Sequence, residues 1–432
     1  MTVTERLKAY RDALILRQTD QLTDRSSLAA TFVRGILAAI SGTTLSYLLG
    51  AMITVLIARE LGVSSYGQYT TIMASLGLLS NFLGLGLDTW LLGEGARQPR
   101  QLDTFAWQVL FLKMGGACAM LSILVLGWLN GGANAGVFII GSLGVIADGF
   151  SRTGFAVLRA RAQNGRVALL EVATPASLLI GLFILKALGL TIVALVTVQL
   201  LCNILVLIAT FANAFNEIKL PMPTPLRVLR EGWIFIASDA VANVYSLAAI
   251  TAVGAFAGAI SAGLYKPAQT VITLTYIIPN LIFWVGLPLL NRAQVRSTYD
   301  RVAQTMLIGA VLYGLLVLIG IWLVGEPVLR LVYGADFLPS LPYIQVMSVI
   351  PLMKSISFVC AAVMLSRRRQ RLRLVLQSVV VVFSIVGALT VIPRTGAMGA
   401  AWLQVAIEAA LLTLYASGAV WSLRKTHQPV AR

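Results

Sequence analysis

Apolar positions in this chain fall in long unbroken blocks, separated by short polar or glycine-rich turns. The stretch from Gly35 to Ala58 runs 24 positions without a charged side chain. That is enough to cross a hydrocarbon core of about 30 Å at about 1.5 Å per helical residue. In lipid every backbone polar group must be satisfied within its own segment, so blocks of this length read as helices. The short alternating strands of a membrane β-barrel do not occur. The pattern predicts spans at about 35–58, 69–93, 105–129, 135–158, 168–188, 190–214, 232–256, 264–290, 302–324, 337–365, 372–392 and 397–422. This is an all-α integral membrane fold of 12 transmembrane helices, joined by tight turns such as Asn130-Gly131-Gly132-Ala133-Asn134.

Composition excludes a soluble domain. Hydrophobic residues make up 58% and charged residues 12% of the 432 positions, with a mean hydropathy of +0.86, where globular surfaces need about 25% charged residues. Residues 1–34 are polar, with no apolar signal core and no small-residue cleavage site, so the first apolar block is expected to stay as an anchor. Within this tail Val3, Leu7, Tyr10 and Leu14 recur at helical spacing beside Arg6, Lys8, Arg11 and Arg17. The segment is either a basic amphipathic helix on an anionic leaflet or a solvated tail. Cys118, Cys202 and Cys360 are scattered through apolar blocks, and His427 is the only histidine. Neither a disulfide framework nor a metal site is expected from such a set.

A net charge of +16 would point to nucleic acid in a soluble protein. Here its placement points to topology instead, and nucleic acid is not expected as a partner. Assigned to alternating sides, 26 of the 33 Lys and Arg residues fall on the side of the two termini, and Lys113 is counted there with the turn after span two. Only Arg59, Lys186, Lys266, Arg330 and Arg394 fall opposite, while Arg152 and Lys354 lie within spans. This is a positive-inside pattern with both termini cytoplasmic, and the run Arg367 to Arg373 is a topology anchor near anionic lipid.

The two halves echo one another. Ser65-Tyr66-Gly67-Gln68-Tyr69 follows span one, and Ser261-Ala262-Gly263-Leu264-Tyr265 follows span seven, 196 positions on. Spans four and ten carry Ala156-Val157 and Ala362-Val363 before basic turns, and Gln199 with Asn203 is matched by Gln404 with Glu408. Six plus six spans make a parallel repeat about an axis along the membrane normal. The expected division is a cytoplasmic amphipathic tail (1–34), an N-lobe of six spans (35–214), a linker (215–231), a C-lobe of six spans (232–422) and a C-terminal tail (423–432).

Ionisable groups within spans cost about 2.5–3.5 kcal/mol on insertion scales and mark cavities or pathways. Asp148 and Arg152 stand one turn apart in the favourable order for an i,i+4 pair, which serves either structure or a cavity. Lys354 has no local partner, and a water-filled cavity is favoured for it over an interhelical salt bridge. Asp239, followed one turn later by Asn243, and Glu408 are the acidic candidates for ion coupling. Asp88, near a helix end, is within reach of headgroups. Arg59 and Lys266 sit at the outer mouth, where long side chains can snorkel. Gly35, Gly42 and Gly50 along span one, and Pro267, Pro279 and Pro288 in span eight, mark either hinges or the ordinary enrichment of membrane helices. No Gly-Lys-Ser/Thr phosphate loop and no paired catalytic groups are present, so the chain reads as no ATPase and no enzyme.

Several motifs, in order, resemble bacterial polysaccharide flippases of the Wzx type, members of the multidrug/oligosaccharidyl-lipid/polysaccharide exporter superfamily. They are Ala58-Arg59-Glu60-Leu61-Gly62 with Tyr66-Gly67-Gln68-Tyr69, Leu83-Gly84-Leu85-Gly86-Leu87-Asp88, Gly263-Leu264-Tyr265-Lys266-Pro267-Ala268, Tyr333-Gly334-Ala335-Asp336-Phe337 and Gly396-Ala397-Met398-Gly399-Ala400-Ala401. The resemblance implies two six-helix lobes around a cationic cavity. It also implies a cargo of oligosaccharide on polyprenyl diphosphate, flipped between leaflets by alternating access and driven by an ion gradient, with membrane lipids, a polymerase and glycosyltransferases as partners and no cofactor. A diphosphate needs fixed cations, for which Arg34, Arg59, Arg152, Lys266 and Lys354 are available; Asp88, Asp148, Asp239 and Glu408 are the coupling candidates. A drug or cation antiporter would need an acidic cavity instead. A peptidoglycan-precursor flippase of this fold normally carries two further C-terminal helices, whereas this chain ends after span twelve.

Overall fold

A computed structural model describes residues 25–84, 86–129, 135–215, 225–292, 296–367 and 369–424. The tail calls on Val3 to Leu14 and the Asn130 to Asn134 turn lie outside the described residues, as does the side chain of Arg34. Throughout the described residues the chain is helical or in turns, with no strand. Among the described residues nine segments are long and apolar enough to cross a membrane when one bent pair counts as a single span. Three of the nine are double. Ser46 and Asn81 line one cavity although a straight helix would hold them about 52 Å apart. Gln269 donates to the Ser246 carbonyl at 3.3 Å across 23 residues, and a Cβ on Gly387 would touch Leu403. The chain therefore folds back at Gly62, Gly258 and Gly396, which among the described residues is consistent with the twelve spans expected from the sequence.

We label them α1 (25–61), α2 (63–97), α3 (Leu102–Leu129), α4 (Ala135–Ala160), α5 (Asn164–Leu188), α6 (Ile192–Ala214), α7 (226–257), α8 (258–292), α9 (Arg296–Val332), α10 (335–366), α11 (370–395) and α12 (397–424). The turns fall into two kinds. At one end of the bundle the chain reverses on Gly62, Gly189, Gly258, Gly334 and Gly396, all with φ between +65° and +99°, a region that side chains other than glycine rarely enter. The other end carries the arginine-rich turns. We call these the glycine end and the basic end.

The repeat is visible in the backbone. Gly62 (φ 70°, ψ 172°) and Gly258 (φ 84°, ψ 172°) stand 196 residues apart and turn the chain in the same way. Within the first half α4 packs on α6 and α5 on both α6 and the α1–α2 hairpin; within the second, α10 packs on α8, α9 and the α11–α12 hairpin. The two lobes of six meet where α2 lies against α7 and the α1–α2 hairpin lies against α8. Proline acts where chemistry requires: α8 breaks at Thr275 and Tyr276, four residues ahead of Pro279, because the ring displaces the carbonyl four positions back. The freed Thr275 carbonyl accepts the Tyr313 hydroxyl at 2.7 Å. Outward faces are apolar: Leu323 is 74% and Leu331 77% exposed on α9, a surface suited to lipid rather than water.

Candidate functional site

A cavity of about 1170 Å³ lies in the first lobe and against the second, lined by α1, α2, α4, α5, α7 and α8. It runs from Tyr66, Tyr69 and Lys266 near the glycine end to Leu92, Arg159 and Glu171 near the basic end. Five of the nine residues singled out from the sequence line it: Asp88, Asp148, Arg152, Asp239 and Lys266.

The charged wall is assembled from α2, α3 and α4. Lys113 is 1% exposed, although it was counted with the turn after span two. Its ammonium group reaches both Asp88 carboxylate oxygens at 2.8 and 2.7 Å and the Gly149 carbonyl at 2.7 Å, which uses all three of its N–H donors. Thr153 donates to the same carboxylate at 2.8 Å. Asp88 thus sits in a buried ion pair, not among headgroups; its partner stands 25 residues away in sequence. These bonds fix the face of α4 that carries Gly149 and Thr153. The adjacent face turns Asp148 and Arg152 into the cavity, paired at 2.8 Å with 38% and 56% of their side chains exposed. Arg159, expected in a cytoplasmic turn, lines the cavity in an ion pair with Glu171 of α5.

Two lining charges stand outside these pairs. Lys266, expected to snorkel at the outer mouth, points into the cavity instead and donates to the Gln269 amide at 3.1 Å. Asp239 has no hydrogen-bond or ion-pair partner among the described residues, while Asn243 one turn on donates to the Gly77 carbonyl and the Asn81 amide at 2.7 and 2.9 Å, joining α7 to α2. The lining therefore holds Asp88, Asp148, Glu171 and Asp239 against Arg152, Arg159 and Lys266. It is mixed in sign, where the family resemblance led us to expect a cationic cavity.

Lys354 and Glu408 do not line this cavity. They pair with each other at 2.8 Å in the second lobe, between α10 and α12. The expectation of a partnerless Lys354 in open water is thus corrected: it makes an interhelical salt bridge. Glu408 is fully buried and accepts the Tyr245 hydroxyl as well. Lys354 also lies 4.9 Å and 5.4 Å from the ring centroids of Tyr245 and Tyr276, within cation–π range. Arg59, at the glycine end, donates to the Leu331 carbonyl and is exposed.

The signature of a family described as polysaccharide biosynthesis proteins matches residues 32–294. Among solved structures the chain is similar to a lipid II flippase, MurJ, in an inward closed conformation, with a TM-score of 0.73 at 15% identity over 90% of this chain and 88% of that one. It is similar to an inward-facing multidrug resistance MATE family transporter of the MOP superfamily, with a TM-score of 0.69 at 17% identity, over 89% and 96% of the two chains. A MOP superfamily transporter from Pyrococcus furiosus, reported with a binding pocket of reverse polarity, matches with a TM-score of 0.63 at 15% identity over 91% and 95%. No curated protein matches this chain by sequence. At these identities the structural likeness establishes the fold.

Proposed function

The chain belongs to the polysaccharide biosynthesis protein family, and from that premise we propose that it flips an oligosaccharide linked to polyprenyl diphosphate from the cytoplasmic to the periplasmic leaflet, for surface polysaccharide assembly. Its family and structural neighbours are transporters and flippases, not enzymes. The observation that carries the proposed cargo is Lys266: a cation with no acidic partner among the described residues, facing a cavity of about 1170 Å³ between the lobes. A diphosphate headgroup leaving water needs such a fixed charge. Arg152, half-exposed beside Asp148, is a second donor within the same cavity. Asp239 of α7, without a hydrogen-bond or ion-pair partner among the described residues, is the carboxylate best placed to take up and release a coupling cation. On this reading both termini lie in the cytoplasm, which the excess of Lys and Arg on their side supports, and the chain works in a bacterial inner membrane beside the polymerase and glycosyltransferases that would use its product.

One observation favours a second reading. The cavity has four carboxylates against three cations, and an exporter of organic cations would use Asp239 as its counter-ion. Deletion of the gene separates the two. The flippase reading expects loss of surface polysaccharide, with the lipid-linked repeat accumulating on the cytoplasmic leaflet. Intact export in a strain with no second flippase, together with new sensitivity to cationic drugs, would overturn it in favour of the exporter.

A further inference from the structure

At the glycine end α2 crosses α8 over the cavity, and that crossing obeys the internal repeat. A Cβ added to Gly67 of α2 would strike the Ala259 carbonyl and stand 2.7 Å from the Gly263 nitrogen. A Cβ added to Gly263 of α8 would strike the Val63 carbonyl and stand 3.0 Å from its carbon. Gly67 and Gly263 are 196 residues apart, and so are Val63 and Ala259. The contact is therefore reciprocal, each repeat offering the same glycine and the same carbonyl to the other, as in a two-fold interface. This gives the Ser-x-Gly-x-Tyr repeat a physical reason: backbones approach this closely only where neither carries a side chain.

Beneath the crossing the cavity begins, lined by Tyr66, Tyr69, Thr70 and Lys266. Tyr66 and Tyr265 are fully buried around it, and neither hydroxyl has a hydrogen-bond partner among the described residues. A buried phenol without a partner is unfavourable and gains a hydrogen bond once water reaches it. Close backbone packing thus favours the closed crossing, while hydration of two phenols favours parting. Packed interfaces switch between arrangements rather than deform continuously, and these two terms would set the balance between a closed and a parted crossing.

We infer that Gly67 and Gly263 form the outer gate of the transport cycle, shut in this structure, with Tyr66 and Tyr265 as the groups whose hydration assists its opening. The inference rests on the chain being a transporter that opens alternately to its two faces. It is read by accessibility, so its failure is separable from that of the proposed cargo.

The test replaces Cys118, Cys202 and Cys360 by alanine and introduces Thr70→Cys in the cavity wall. A membrane-impermeant thiol reagent is then applied to the glycine-end face of oriented vesicles. Labelling should be slow behind the native glycines and faster by about fivefold or more in Gly67→Ala and in Gly263→Ala, since overpacking a close contact costs about 1–3 kcal/mol and shifts a two-state equilibrium accordingly. Gly309→Ala on α9, with open space around it and outside the cavity lining, should leave the rate unchanged. Equal rates in all three variants would overturn the assignment. Where a glycine variant does not reach the membrane, Tyr66→Phe combined with Tyr265→Phe decides: labelling slower than in the parent supports the gate, and an unchanged or faster rate overturns it.

Discussion

The two lobes share one backbone plan yet use buried charge differently. In the first, Asp88 and Lys113 sit behind a cavity wall that also carries the exposed pair Asp148–Arg152, and Asp88 itself reaches the lining. In the second, Lys354 and Glu408 are closed among Tyr245 and Tyr276, away from that cavity. Equivalent turns at Gly62 and Gly258 do not impose equivalent electrostatics. The second lobe still sends Asp239 and Lys266 into the cavity from α7 and α8, so what separates the halves is where each keeps its buried pair: against the cavity wall in the first, away from it in the second.

The comparison breaks most sharply at the second lobe. Glu408→Ala leaves Lys354 as an uncompensated buried charge, which should lower stability by about 3–5 kcal/mol. Thermal unfolding in detergent should show the loss, and Lys354→Met with Glu408→Gln should recover most of it because no charge is then stranded. In the first lobe Lys113→Met should have a smaller effect, about 1–3 kcal/mol, since Asp88 lines the cavity and can rehydrate from it, whereas Lys354 lies away from that cavity. An equal or larger loss there would show that the cavity does not supply water to Asp88. Smallest of all, Lys266→Gln should move stability by no more than about 0.5 kcal/mol, because it removes only a contact to the Gln269 amide.

Which parts of this were legible in the sequence follows from range. Apolar blocks and the alternation of charge located twelve spans, because bilayer thickness and topology act on local composition. The pair Asp148–Arg152 was legible because one helical turn joins its members. Lys113 was not: it sits inside α3, yet next to a basic turn it counts as one more cytoplasmic charge. Its ties to Asp88 and Gly149 cross three helices. Lys354 looked partnerless because Glu408 stands 54 residues away, beyond any helical periodicity. The Ser-x-Gly-x-Tyr repeat was visible as a pattern, but the reciprocal approach of Gly67 and Gly263 that explains it exists only between folded halves.

The central claim is that cargo is carried in the cavity that α7 and α8 line together with the first lobe, and is held by Lys266 of α8 rather than by the Lys354–Glu408 pair. Transfer of a fluorescent oligosaccharide on polyprenyl diphosphate between the leaflets of proteoliposomes tests it directly, comparing Lys266→Gln with the doubly neutralised Lys354→Met, Glu408→Gln variant. The account predicts that Lys266→Gln slows transfer by about tenfold or more, the loss of a hydrogen bond to a charged group, while the double variant keeps most of its rate. Full transfer by Lys266→Gln, with transfer abolished in the folded double variant, would contradict it.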